Sequence, residues 1–367
     1  MGIVVENVSK AFEGKPVLDD VSFEIKDGEF ATFLAPTGEG KTTLLRILAG
    51  VESPDSGRIL YDGKDVTHVA VQKRNIAMVY QWFVNYPSMT VYDNMATPLR
   101  ASASPLPADD MDAKIKATAA LLKIDAFLDR LPSELSGGQQ QRLALARALV
   151  KGADYIFLDE PLTNLDYKLQ EELRAELKKI FETRDHGAVV LGSPQPIEAL
   201  ALSTSVGFLH GGRLVQFGPT DQVYHNPCSV DVAAYFCHPG MNLLDGRLVS
   251  ENGTCWIEVS EELRIDVTEF KDRLEEDEYV LGIRPQALGT ERVDGVSLPV
   301  HARVELSEVV GSDTELHLDH RGKSLISWVQ GVETFDLGSE LTVYVHPHRF
   351  FIFEKISGNL VAKTQKD

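Results

Sequence analysis

The sequence predicts an α/β domain built on a mixed sheet with helices, followed by an all-β module. Three observations carry that reading. An apolar strand at residues 29–34 runs into a glycine-rich turn and a helix start. A second apolar run, residues 154–158, is too short for a helix and ends in the acidic pair Asp159-Glu160. After about residue 236, helical periodicity gives way to short alternating segments separated by turn residues.

The first element is Ala35-Pro36-Thr37-Gly38-Glu39-Gly40-Lys41-Thr42-Thr43, followed by the helical pattern Leu44–Ala49 and a stop at Gly50. Gly38 and Gly40 let backbone N–H groups turn toward an anion, and the helix N-terminus adds its partial positive charge. In that setting Lys41 reaches β- and γ-phosphates and the Thr42 hydroxyl suits a Mg²⁺ ion. Two positions are irregular. Ala35 stands where the pattern begins with Gly, which is harmless unless the loop needs positive φ there. Glu39 places a carboxylate inside an anion-binding loop, where it weakens phosphate binding unless it points outward. Tolerated drift and lowered affinity both remain open for this pair.

Asp159 and Glu160 arrive at the C-terminal end of their strand, where open α/β sheets bind ligands. Asp159 suits the ligand field of Mg²⁺, and Glu160 suits a general base that polarises an attacking water. Pro161 and Asn164-Leu165-Asp166 follow in the order this chemistry uses. Upstream, Leu135-Ser136-Gly137-Gly138-Gln139 precedes a helix expected over 140–150, and Ile76–Gln81 reads as a strand ending in glutamine.

This ordered set resembles that of the ATP-binding-cassette ATPases, and the resemblance covers nearly the whole chain. It implies ATP as substrate and Mg²⁺ held near Thr42, Gln81 and Asp159. It makes Ser136, Gly137, Gly138 and Gln139 a signature that caps the γ-phosphate bound by a second subunit. It makes Gln81 the glutamine that senses the membrane partner, and Thr163-Asn164-Leu165-Asp166 the loop crossing the dimer interface. Phe12 falls at the adenine-stacking aromatic of the family, with an ordinary strand-edge aromatic as the alternative.

One motif is broken. The family has a strand ending in Thr-His-Asp before a helix that begins Glu-Ala; registering on Glu198-Ala199 puts Pro194 at the histidine. Proline has no side-chain donor and no N–H. Losing one such donor lowers a rate by roughly 10²–10³, unless Ser193 or Gln195 substitutes. A homodimer would carry two impaired sites, so the expectation is a heterodimer with a second ATPase subunit that keeps the histidine.

The remaining elements follow in order. Residues 1–30 read as strands and turns, and 91–130 as mostly helical with interruptions at Pro105 and Pro107; this stretch resembles the helical subdomain that the family inserts, here spanning about 82–135. Residues 166–183 form an amphipathic helix with Leu169, Leu173, Leu177 and Ile180 on one side. Val206–Leu209 and Leu214–Phe217 make a hairpin through Gly211-Gly212. The domains are expected at 1–236 and 237–367, the second a small barrel of oligonucleotide-binding type. Its segments around Pro239–Leu244, Leu281–Gln286 and Val309–Ser312 resemble the C-terminal regulatory domain of carbohydrate-importer ATPases. The stretches Tyr80–Pro87 and Leu165–Leu169, with Pro194, look similar to an ATPase subunit of bacterial glycerol importers, a group with two different ATPase subunits.

Composition agrees. A net charge of −19 argues against nucleic-acid partners, and the three cysteines lack metal-ligand spacing and read as reduced thiols. No segment approaches the ~18 apolar residues of a membrane span. The expected setting is the cytoplasmic face of the inner membrane, with two transmembrane permease subunits and a substrate-binding protein as partners. Two other readings stay open: a catalytically weak regulatory cassette, and a soluble cassette ATPase with no transport role.

Overall fold

The computed structural model describes residues 2–363 apart from 83, 103, 104, 164, 183, 185, 293–296, 347 and 348. Backbone contacts divide it into two units, residues 1–223 and 224–367. The division falls earlier than the boundary expected at 236. The physical reason is the helix Val230–Tyr235: its Ala233 packs with Phe351 and Phe353 of the second unit.

In the first unit, the expected α/β architecture takes the form of two sheets. One is antiparallel, ordered Lys15–Lys26, Gly2–Phe12, Ser56–Tyr61, Lys64–Asp65. The other is ordered Arg213–Pro219, Ser205–His210, Phe30–Leu34, Ala188–Ser193, Tyr155–Asp159, Ile76–Val79. Its strands pair in parallel except for the edge hairpin Ser205–His210/Arg213–Pro219. Phe30–Leu34 and Tyr155–Asp159 are buried at every position, which is why they read as continuous apolar runs rather than alternating ones. Leu44, Leu45, Ile47 and Leu48 of the helix Lys41–Ala49 share one core with both sheets.

The helical stretch consists of Val91–Arg100, Ala108–Leu121 and two short 3₁₀ turns, ahead of the helix Gly137–Lys151. Pro107 ends the break between the first two as the N-cap, whereas Pro98 lies inside a helix. These helices share a core with Val79, Ile156 and Leu158 of the sheet. The subdomain is therefore welded to the sheet by apolar packing. The amphipathic helix runs Tyr167–Glu182, with Leu173 and Leu177 buried; Thr183, its expected end, lies outside the described residues.

The second unit is all-β and barrel-like. A six-stranded and a five-stranded antiparallel sheet share one core that includes Leu281, Ile283, Val300, Val304, Leu316 and Leu318. Asn252 (φ 52°) and Gly253 (φ 84°) turn the hairpin Asn242–Glu251/Thr254–Glu258, as the Asn-Gly pair predicts.

One buried cation holds the far end of the nucleotide-loop helix. Arg74 donates through Nε to Val69 O (2.9 Å), through Nη1 to Leu48 O (2.7 Å) and through Nη2 to Val66 O (2.5 Å). Gly50, the helix's left-handed C-cap, leaves the guanidinium its space: a Cβ there would lie 2.4 Å from Arg74 Cζ. Arg74→Met keeps the apolar stem but strands several buried carbonyls, so it is expected to cost roughly 3 kcal/mol. A thermal melt followed by circular dichroism, with the lower transition unmoved, would contradict this.

Candidate active site

The phosphate loop begins where the buried strand Phe30–Leu34 ends. Gly38 and Gly40 have φ of 93° and 95°, a conformation that favours glycine. Gly40 is required twice, since a Cβ would also sit 2.8 Å from Val17 O. Ala35 is buried and is not among the positive-φ residues, so its replacement of the expected glycine carries no backbone strain. Pro36, Thr37 and Gly38 are exposed, and Thr42 and Thr43 are half-buried at the helix start. Glu39 points out of the loop, toward the Gly211 amide.

Lys41 is buried. Its ammonium donates to Ala35 O (2.7 Å) and Pro36 O (3.1 Å) and lies 3.4 Å from Glu160 Oε1. Burial pulls this amine below its ordinary range, and Glu160 opposes that shift. The other Glu160 oxygen accepts from Gln81 Nε2 at 3.1 Å and from the Thr163 hydroxyl at 3.4 Å. Glu160 itself has φ 46°, uncommon for a side chain that is not glycine, and its N–H is held by Gly192 O at 2.9 Å. That turn aims the carboxylate back across the strand ends toward Lys41.

Thr42 Oγ1 donates to Asp159 Oδ1 at 2.9 Å. Burial raises the Asp159 carboxyl above its usual range, with the Thr42 hydroxyl opposing. These two oxygen donors fit Mg²⁺, which takes one or two protein oxygens and fills its octahedron with phosphates and water. Gln81, the third expected ligand, is joined to Glu160, just past the strand Ile76–Val79.

Ser136 caps the helix Gly137–Lys151, which starts three residues earlier than expected. Ser136 Oγ accepts from Gln139 N (3.4 Å) while Gln139 Oε1 accepts from Ser136 N (2.9 Å), a reciprocal capping box. Ser136 and Gly137 are exposed. The two glycines differ: a Cβ on Gly138 would lie 2.2 Å from Leu169 Cδ2, whereas one on Gly137 would meet nothing within 4 Å. Among the described residues, no hydrogen bond of Ser136 to Gln139 reaches the phosphate loop.

Phe12 ends the strand Gly2–Phe12 and is 44% exposed, with Lys10 Nζ 5.1 Å from its ring centroid. Asp166 accepts from Leu169 N at 3.0 Å and so starts the next helix; Asn164 lies outside the described residues. Strand pairing sets Ser193 beside Leu34 and Gly192 beside Asp159. Pro194, in the turn after Ser193, therefore sits at the ends of the strands that deliver the phosphate loop and the acidic pair. The buried Ser193 hydroxyl accepts from Gln195 N at 2.9 Å. Sequence reading used Glu198 only as a register mark, yet it is a fully buried carboxyl in contact with Ser193.

A strand, a phosphate loop with two left-handed glycines, and a buried lysine facing a carboxylate define a P-loop ATPase. The family model described as ABC transporter matches residues 18–163, and one described as TOBE domain matches 281–353. The trehalose/maltose import ATP-binding protein MalK of Thermococcus litoralis is 35% identical, the alignment covering 98% of this chain and 99% of that protein. The sn-glycerol-3-phosphate import ATP-binding protein UgpC of Pectobacterium atrosepticum is 32% identical over 96% and 98%. The oligosaccharides import ATP-binding protein MsmX of Bacillus subtilis is 33% identical over 95% and 96%. A dimeric post-hydrolysis structure of the ATP-binding cassette MJ0796, bound to ADP and Pi, aligns with a TM-score of 0.54 and 26% identity, covering 59% of this chain and 98% of that one. The chain belongs to the family of ATP-binding subunits of ABC importers that carry a C-terminal TOBE domain, and it is an ATPase.

Burial also raises the Glu198 carboxyl, with Ser193 and Arg174 opposing. A carboxyl raised in the native state supports the fold while protonated, and that support is lost as pH climbs through the raised value. At neutral pH the carboxyl is therefore a net cost beside a neutral side chain of the same shape. Glu198→Gln is expected to raise the thermal midpoint at about pH 7, with the gain fading toward about pH 4, near the ordinary glutamate value. A variant that melts lower than the parent at neutral pH would exclude this.

Proposed function

We propose that this chain is the motor subunit of an importer for a small polyol or sugar, with glycerol the leading candidate, and that it works in an asymmetric pair with a second, different ATPase subunit. Pro194 carries the pairing. The residues that bind phosphate and polarise water, Lys41, Asp159 and Glu160, are all in place, while the position between them offers a ring without a donor. Such a site binds nucleotide and turns it over slowly.

The cargo class is supported by the relatives, whose names specify trehalose/maltose, sn-glycerol-3-phosphate and oligosaccharides. Glycerol rests on the likeness of Tyr80–Pro87, Leu165–Leu169 and Pro194 to glycerol-importer subunits. No helix among the described residues is long and apolar enough to cross a membrane. The reading therefore places the chain peripherally on the cytoplasmic face, against two permease subunits served by a substrate-binding protein. A cavity of about 340 Å³ lined by Met78, Tyr80, Val84, Tyr86, Ala144 and Arg147 supports a permease contact beside Gln81. Val84 in its lining is exposed, as is Trp82, two residues earlier in the chain.

ATP stacks its base on Phe12 and lays its phosphates along Gly38–Thr43, where Lys41 leaves its contact with Glu160 for the γ-phosphate. Thr42 and Asp159 would hold Mg²⁺, whose chemistry there would be charge neutralisation. Water attacks the γ-phosphorus as Glu160 takes a proton from it, the bond to the bridging oxygen breaks, and ADP and phosphate leave. Ser136 and the amides of Gly137 and Gly138 cap the γ-phosphate of the partner ATPase, so nucleotide stabilises the closed pair.

The test is Pro194→His. The variant is expected to hydrolyse ATP at least about 10-fold faster than the purified parent, with little change in nucleotide affinity. Equal rates for the two would end the asymmetric reading.

A further inference from the structure

Glu39 occupies a position where a carboxylate repels the ligand, and the structure gives it other work. Its Oε2 accepts from the Gly211 amide at 2.7 Å, and Oε1 lies 4.0 Å from His210 Nδ1. Gly211 (φ 57°) and Gly212 (φ 78°) form the turn of the hairpin Ser205–His210/Arg213–Pro219. That turn is fastened in its own right to the strand Lys15–Lys26. Asp19 N donates to Gly212 O at 2.8 Å, and Arg213 donates to Asp19 Oδ2 from Nε (2.8 Å) and Nη2 (2.6 Å).

The same strand closes on the phosphate loop from the other side. Val17 O and Leu18 Cδ2 stand so close to Gly40 that a Cβ there would come within 2.8 and 2.9 Å of them. The strand also pairs with Gly2–Phe12, with Lys10 opposite Leu18 and Phe12 opposite Lys15. A closed circuit results, from Glu39 through the glycine turn and Asp19 to Val17-Leu18 and back to Gly40. It joins the segment that holds phosphates to the strand pair that ends in Phe12.

We propose that Glu39 is a positioning residue: its carboxylate straps the phosphate loop to the Gly211-Gly212 turn and so fixes the spacing between the phosphate loop and the Phe12 edge. The strap acts on nucleotide binding, and it keeps the negative charge turned away from the phosphates. Its alternative is a bystander whose only effect is repulsion of ATP.

Two variants separate these. Glu39→Gln removes the charge and keeps an acceptor oxygen for the Gly211 amide, while Glu39→Ala removes both. Titration of the full chain with trinitrophenyl-ATP and with ATP in Mg²⁺ is expected to show the Gln variant binding at least as tightly as the parent. The Ala variant is expected to bind about 5- to 10-fold more weakly than the Gln variant, the worth of one neutral hydrogen bond, and the loss falls on KM rather than kcat. Ala binding as tightly as Gln would overturn the strap, because charge alone would then decide affinity. Amide hydrogen exchange gives an independent reading. Gly211 is expected to be protected in the parent and the Gln variant and to exchange faster in the Ala variant; unchanged exchange in the Ala variant would also overturn it.

Discussion

The site is organised around a buried charge pair, Lys41 with Glu160, 3.4 Å apart and almost wholly removed from water. Two such ions are costly to desolvate, and removing either partner leaves the other uncompensated, typically at about 3–5 kcal/mol. The surrounding geometry exists to keep the pair in register. The parallel pairing of Phe30–Leu34, Ala188–Ser193 and Tyr155–Asp159 sets the ends of the first and last on either side of Ser193. The left-handed turn at Glu160 then swings its carboxylate toward the loop. Glu160 also accepts from Gln81 and Thr163, so one carboxylate joins the lysine of the phosphate loop to the segment after Ile76–Val79.

Much of this was legible in the chain, because it is written in short-range patterns. The glycine loop needs two residues at positive φ two positions apart, and Gly38 and Gly40 supply them. The acidic pair ends a run of five buried residues, and the Asn252-Gly253 turn announces its hairpin. What could not be read depends on partners far along the chain. Glu39 could be read either as tolerated drift or as a weakening of the anion site, and what separates the two is its acceptor role toward Gly211, 172 residues away. Arg74 is one cation among many in the sequence, yet it closes the end of the nucleotide helix because Leu48, Val66 and Val69 converge there. The domain boundary shifted for the same reason: residues 224–236 look like an extension of the first unit, and only the packing of Ala233 on Phe351 and Phe353 shows otherwise.

The two signature glycines separate internal from external constraint. Gly138 is demanded by the chain's own packing, since Leu169 occupies the space a side chain would need. Gly137 is not: its backbone is helical and the space around it is open. Gly137 is the first residue of its helix, where glycine carries little of its interior cost, and an exposed helix N-terminus of this kind suits an anion. Pro194 poses the opposite case, a position on the chain's own site where a donor is missing although the neighbouring strands are placed for one. The chain thus carries a serine cap that its own helix uses, beside a glycine with open space around it, while the strand lying between the phosphate loop and the acidic pair runs into a residue with no side-chain donor.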